Sequence, residues 1–268
     1  MDSYQTKSHM NERCADVAII IPAYNEEKSI RDIVKKTLEH SLHVIVVNDG
    51  STDKTVEKLI DLPITLLNNA TNKGKGASLL QGFRYAQSLN LKATISIDAD
   101  TQHDPNDIPK FIAAMHQYPN HIIIGARLHN RENAPKSRYR ANQIADFFIS
   151  WAAGRRIVDS QSGYRLYPMN LLNDCLKRFN HRKFTFESAI LINSTRRGYR
   201  PAAIAIHSHY PQHSRASHYK PFSDTIKITL MVTWKIISRG LCLPGLCRML
   251  FNGVTMNDEN RETQTHRR

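Results

Sequence analysis

Ile95-Ser96-Ile97-Asp98-Ala99-Asp100-Thr101-Gln102 reads as a short strand that runs straight into paired carboxylates, with a further acid at Asp104. A strand ending in a tight turn can aim Asp98 and Asp100 at one point beyond the edge of a sheet. Such a point suits a hard divalent cation, which takes oxygen ligands and often keeps phosphate oxygens as its remaining partners. Asp and Asn also gather at strand ends simply as turn formers, so the pair alone carries little weight. Its meaning comes from its surroundings.

Upstream, residues 17–21 form a continuous apolar run closed by Pro22, fit for a buried strand. Residues 26–38 carry helical spacing at Ile30, Ile33, Val34 and Leu38, with acids in the first turn where the helix dipole favours them. A second apolar strand, 44–47, ends in the turn Asn48-Asp49-Gly50-Ser51-Thr52. Val56, Leu59 and Ile60 predict a helix, followed by a strand at 64–67 and the glycine turn Lys73-Gly74-Lys75-Gly76. A helix to about Leu89 and a strand at 93–97 complete this half; beyond it, 107–117 reads as helix and 121–124 as strand. Strand and helix alternate over short connections, and strands apolar throughout are buried on both faces. The fold class is therefore α/β, a mostly parallel central sheet with helices on both faces. Ligands of such sheets bind beyond the carboxyl ends of the strands, so residues 22–26, 48–51 and 98–100 line one rim. No internal repeat or low-complexity tract interrupts this order.

At 268 residues the chain is long enough for one large domain with a sizeable core. Its charge is lopsided. Residues 1–110 carry 13 Lys and Arg against 15 Asp and Glu, a net of −2; residues 111–268 carry 24 against 9, a net of +15. The second half is thus expected to face something anionic, such as a phosphorylated substrate or an acidic lipid surface. Nucleic acid is disfavoured as a partner, because the basic segments lack RNA-binding aromatic signatures and any helix-turn-helix pattern. Cys14, Cys175, Cys242 and Cys247 are scattered without metal-ligand spacing and read as reduced thiols. The first 13 residues lack an apolar signal core, and no stretch reaches the roughly 18 apolar residues a spanning helix needs. The expected location is cytoplasmic.

Five motifs in order, IIIPAYNEE, VVNDGSTDKT, NKGKGASLLQGF, SIDADTQHDP and GYRLY, resemble the family 2 nucleotide-sugar glycosyltransferases. The chain is most similar to the branch of dolichol-phosphate mannosyltransferases and related polyprenyl-phosphate sugar transferases, over about residues 16–170. The resemblance implies a single GT-A type domain, a Mg²⁺ or Mn²⁺ ion, and inversion at the anomeric carbon by direct displacement. It implies that Pro22, Tyr24 and Glu26 contact the base or ribose of a GDP- or UDP-sugar, with Val47 and Asp49 closing the other side. Asp98, Ala99 and Asp100 would flank the diphosphate, with Asp98, Asp100 and Gln102 as metal contacts and Arg127 beside the donor phosphates. Catalysis would then rest on Asp98, Asp100 and Arg127, since a cation and an arginine stabilise charge on a departing diphosphate.

The basic half carries the expected acceptor side. In the resembled branch the matching Ser-Gly-Phe-Arg element sits near the acceptor phosphate, which implies Ser162 and Arg165, with Arg138 or Arg140, as candidates for holding it; arginine can grip phosphate bidentately. Glu187 falls near where related enzymes carry an acid at the acceptor, and equally suits the first turn of a helix. Residues 142–154 repeat Ile144, Phe147, Phe148 and Trp151 at helical spacing, as core or as a membrane-facing stripe. The histidine-rich segment 207–219 departs from the family pattern; Arg215 stands for its donor-binding arginine, and His207 or His209 is a candidate for the donor-site metal. In 221–256, basic residues opposite Trp, Ile and Leu suit a helix lying in the headgroup plane, or one packed on the domain.

The expected organisation is an extension at 1–15, a catalytic domain at 16–220, amphipathic C-terminal helices at 221–256 and a disordered tail at 257–268. The expected function is transfer of a sugar to a lipid-linked acceptor, chiefly polyprenyl phosphate, at the cytoplasmic membrane face. Two alternatives stay open: the same fold acting on a sugar or lipid hydroxyl in envelope polysaccharide or glycolipid assembly, and a non-catalytic nucleotide-sugar or nucleic-acid binder.

Overall fold

The structure is a computed structural model that describes residues 14–128, 136–176, 186–207, 232–233, 236–237, 243–251 and 255–256. The expected tail lies outside the described residues, as do most of the N-terminal extension and most of 221–256.

Eight strands form one sheet: β1 (Cys14–Ala23), β2 (Ser41–Asn48), β3 (Thr65–Asn68), β4 (Ala93–Ser96), β5 (His121–Ala126), β6 (Arg165–Pro168), β7 (Arg200–Ala205) and β8 (Thr255–Met256). Their order is β3-β2-β1-β4-β6-β5-β7-β8. Every pairing is parallel except those of β6, which runs antiparallel to both β4 and β5. Among the described residues, seven helices connect or cover the strands: α1 (Ile30–Leu38), α2 (Lys75–Gln87), α3 (Ile108–Gln117), α4 (Lys136–Ala153), α5 (Met169–Leu176), α6 (Phe186–Arg196) and α7 (Leu243–Phe251).

The strand alternation builds two cores. Ile20, Ile45 and Val47 face α2, α5 and α6, while Ile19, Ile21, Val44 and Val46 face α1 and α3. Each such fully buried side chain contributes about 2 kcal/mol. α1 sits on its core through Ile30, Ile33, Val34 and Thr37, the spacing of one helical face. α2 lies so close to β1 that a Cβ on Gly82 would stand 2.6 Å from Ile20 Cγ2.

Three local readings change. The helix expected from residue 26 begins at Ile30, because Asn25 adopts a left-handed φ of 57° and residues 25–27 are stitched to the 51–55 loop. The helix expected at 56–60 is a single 3₁₀ turn, Glu57–Leu59. It buries Leu59, leaves Ile60 exposed, and stops short of Pro63, which disfavours helix before it. The helix expected at 142–154 starts earlier, at Lys136, and ends against Gly154, whose φ of 72° suits a helix terminus.

Candidate active site

β4 delivers Asp98 two residues past its end, with Ile97 N–H still bonded to Ile20 O at 3.0 Å. Lys75, the first residue of α2, reaches across to it: Nζ lies 2.6 Å from Asp98 Oδ1 and 3.1 Å from Glu187 Oε2. Glu187 stands in the first turn of α6. Three elements far apart in sequence thus meet at one ammonium. Gly163 makes the meeting possible, because a Cβ there would stand 2.6 Å from Lys75 Nζ and collide with the Asp98 carboxylate. Its carbonyl is pinned by Ser96 Oγ at 2.7 Å.

The electrostatics follow from this packing. Burial raises the Asp98 carboxyl, but the Lys75 ammonium overcomes it and holds Asp98 below the usual range. Burial also pulls Lys75 down, and the Asp98 and Glu187 carboxylates more than reverse this. Asp100 goes the other way, pushed up by burial and then by the charge of Asp98, against a hydrogen bond from Gln102 N–H at 3.1 Å. His103 is buried, with Nε2 4.0 Å from Asp98 Oδ2; burial drives it down to about 4, so its ring is neutral near pH 7. Its Nδ1 and Glu187 Oε1 are buried without a hydrogen-bond partner among the described residues.

These groups fit a hard divalent ion. They offer oxygen donors from Asp98, Asp100 and Gln102, and two carboxylates whose mutual repulsion a cation would relieve. Among the described residues, no group of three or more His, Cys, Asp or Glu is arranged so that it could hold a metal ion without other donors. Two carboxylates and an amide leave coordination positions for water and phosphate, the habit of Mg²⁺ in particular.

The other expected contact residues have partners of their own in the structure. Val47 is fully buried in the core beneath Gly82. The Asp49 carboxylate accepts from Lys73 N–H at 3.0 Å, Gly74 N–H at 2.8 Å and Asn69 Nδ2 at 2.9 Å; it shapes the turn that launches α2. Arg127 is committed to Asp159 through its backbone N–H (2.9 Å), Nε (2.8 Å) and Nη2 (2.6 Å). Arg165 is 1% exposed, donating to the carbonyls of Ser162 (2.7 Å), Glu187 (2.9 Å) and Ser160 (2.6 Å). Ser162 is buried beside it, its Oγ accepting from Tyr164 N–H at 3.3 Å. The two arginines are braces for the loop that carries Gly163. Asp146 of α4 completes the bracing by accepting from Asp159 N–H (3.0 Å) and Ser160 N–H (2.7 Å).

Pro22 and Tyr24 are half-buried at the end of β1. Glu26 accepts from Ser29 Oγ at 3.0 Å, and its N–H donates to Thr55 Oγ1 at 2.7 Å. Ala99 is buried, and Arg140 is exposed on α4. Arg138 belongs to α4, but its side chain, like Arg215 and His209, lies outside the described residues. His207 is tied to Asp107, through its N–H at 2.9 Å and Nδ1 at 3.6 Å, and not to the acidic pair. Sequence reasoning passed over Lys75, His103, Asp146, Asp159 and Gly163. The position of Lys75 at a glycine turn entering a helix on the same rim was the one available signal.

A mostly parallel sheet with one antiparallel insertion and an acidic strand end at its rim defines the GT-A class of glycosyltransferases. The profile of glycosyl transferase family 2 matches residues 18–176, and the chain belongs to that family. It is accordingly an enzyme, a glycosyltransferase. The chain is similar to the UDP-N-acetylglucosamine–dolichyl-phosphate N-acetylglucosaminyltransferase of Methanococcus voltae, with 27% identity over 221 residues, 75% of this chain and 88% of that one. It is 30% identical over 188 residues to an undecaprenyl-phosphate 4-deoxy-4-formamido-L-arabinose transferase of Photorhabdus laumondii, covering 65% of this chain and 55% of that one. In fold it resembles glucosyl-3-phosphoglycerate synthase from Mycobacterium tuberculosis, crystallised with Mn²⁺, uridine diphosphate and phosphoglyceric acid. That match has a TM-score of 0.63 at 16% identity, over 85% of this chain and 79% of the other.

Proposed function

We propose that this glycosyltransferase moves a sugar, with inversion, from a UDP- or GDP-sugar to a polyprenyl phosphate on a membrane surface. The observation that carries the reading is the half-buried acidic pair at the end of β4, where Asp100 stays under-compensated while Asp98 is shared with Lys75. Asp98, Asp100 and Gln102 would hold Mg²⁺ or Mn²⁺, which when bound offsets negative charge on the departing nucleoside diphosphate. Pro22, Tyr24 and Glu26 would flank the base and ribose. A phosphate acceptor is already anionic near pH 7 and needs orientation more than a general base. Glu187 is engaged by the Lys75 ammonium at 3.1 Å. Polyprenyl-phosphate acceptors in the names of the two relatives support the same choice.

Attachment to the membrane would be peripheral. No helix among the described residues is long and apolar enough to cross a membrane. Ile144 and Phe147 on α4, and Leu243, Leu250 and Phe251 on α7, are exposed, and α7 packs against α4. Exposed Arg140 and Arg248 accompany them, a pairing of apolar and cationic side chains that suits an anionic headgroup layer.

The test is incubation of the full chain with labelled UDP- and GDP-sugars, Mn²⁺ and undecaprenyl phosphate. The expected product is a lipid whose label is released by mild acid, as from a sugar phosphodiester. An acid-stable glycoside formed on a hydroxyl acceptor, with undecaprenyl phosphate untouched, would overturn the acceptor assignment.

A further inference from the structure

Lys75 holds a position that a bound ion would contest. Its backbone is fixed, because Asp49 anchors the two preceding residues through Lys73 N–H and Gly74 N–H. From there the ammonium contacts Asp98 Oδ1 at 2.6 Å and Glu187 Oε2 at 3.1 Å. The absent side chain of Gly163 leaves the gap in which those groups meet. Glu187 Oε1 is buried without a hydrogen-bond partner among the described residues, so this carboxylate has capacity for a closer ammonium.

We propose that Lys75 is a resident counter-cation of the metal site: it neutralises Asp98 in the ligand-free protein and withdraws onto Glu187 when a divalent ion binds. The inference rests on the metal reading above and adds a positioning residue to it. Two cations on one carboxylate repel at short range, so the lysine weakens binding of the bare ion. A nucleoside diphosphate arriving with the ion brings negative charge that offsets this repulsion. The device favours the ion–nucleotide complex over the free ion, and Glu187 is the second seat that lets the lysine move without leaving its charge unpaired.

The experiment is titration of nucleotide-free protein with Mn²⁺, followed by the paramagnetic resonance signal of free Mn²⁺. Lys75→Met is expected to bind Mn²⁺ about tenfold more tightly than the parent, and Lys75→Arg to restore parental weakness. Glu187→Gln is expected to bind Mn²⁺ less tightly, since the ammonium then has only Asp98. A purely structural lysine would lower the melting temperature without tightening the ion. Equal or weaker Mn²⁺ binding by folded Lys75→Met overturns the proposal. Should that variant fail to fold, unchanged affinity in Glu187→Gln overturns it instead. If no form of the protein takes up Mn²⁺ even with uridine or guanosine diphosphate present, the metal reading itself falls and the inference with it.

Discussion

The charged groups on the two sides of Gly163 are used in opposite ways. On the β4 side, Asp98 and Asp100 stand half-buried together; one is shared with a lysine and the other is pushed up by desolvation and by its neighbour. On the loop side, Arg127 closes on Asp159, Arg165 on three carbonyls, and Asp146 on two backbone N–H groups. The first arrangement leaves the Asp100 carboxylate under-compensated. The second is complete in itself and forms a shelf that fixes where Gly163 stands. An arginine in a phosphate-site motif is therefore no guarantee of a phosphate contact: a guanidinium enclosed by carbonyls builds the wall of a site.

The comparison breaks most visibly at Asp100. Asp100→Ala is expected to cost about a thousandfold or more in turnover, the scale of losing a charge-stabilising element, while the fold survives. Circular dichroism and the melting temperature should stay near parental values, because the lost carboxylate was held against burial and a like charge. A variant that keeps more than a few per cent of parental turnover, an allowance well above that thousandfold loss, would contradict the role.

On the shelf the same kind of change should act on stability. Arg165→Met leaves three buried carbonyls without their donor and should lower unfolding free energy by about 3–5 kcal/mol, read from urea midpoints. Were Arg165 an acceptor ligand, the variant would keep its stability and raise the acceptor KM alone. Gly163→Ala sits on the border and should separate the two effects. The backbone there needs no special φ, so the stability loss should stay within about 1–2 kcal/mol. Turnover should fall by about tenfold to a hundredfold, since the methyl group must displace Asp98 or Lys75.

How far the sequence could be read follows the range of the interactions. The strands of the first half announce themselves locally, since continuous apolar runs closed by turn residues read the same at any distance from their partners. The rim followed from that order, and with it Asp98 and Asp100. β6 did not follow, because four residues of ordinary composition become a strand only by pairing with β4 and β5. Lys75 was hidden for a similar reason: nothing near it in the chain predicts Glu187. The burial of Val47 was legible from strand parity, for it shares a face with the core residue Ile45. For Arg127 and Arg165 the sequence shows a guanidinium but not the acceptors that enclose it.

The smallest expected effect concerns pH, and it tests whether the shelf is as self-contained as its hydrogen bonds imply. Burial raises Asp159, but its bonds to Arg127 overcome this and leave its folded pKa below the unfolded value. Asp159 therefore adds stability above about pH 4, the usual range of a free aspartate, and that contribution is lost as pH falls through the folded pKa. Asp146 is shifted upward by burial, so ionising it costs stability, and that cost is relieved as pH falls. The two carboxylates of one shelf thus pull the pH dependence in opposite directions. In urea unfolding from pH 7 to pH 3, the stability gap between parent and Asp159→Asn should narrow with acid. The gap between parent and Asp146→Asn should move toward the parent, which gains as Asp146 takes up its proton. Parallel curves for all three proteins would show that neither carboxylate titrates differently on folding, and the opposed pulls of Asp159 and Asp146 would lose their electrostatic basis.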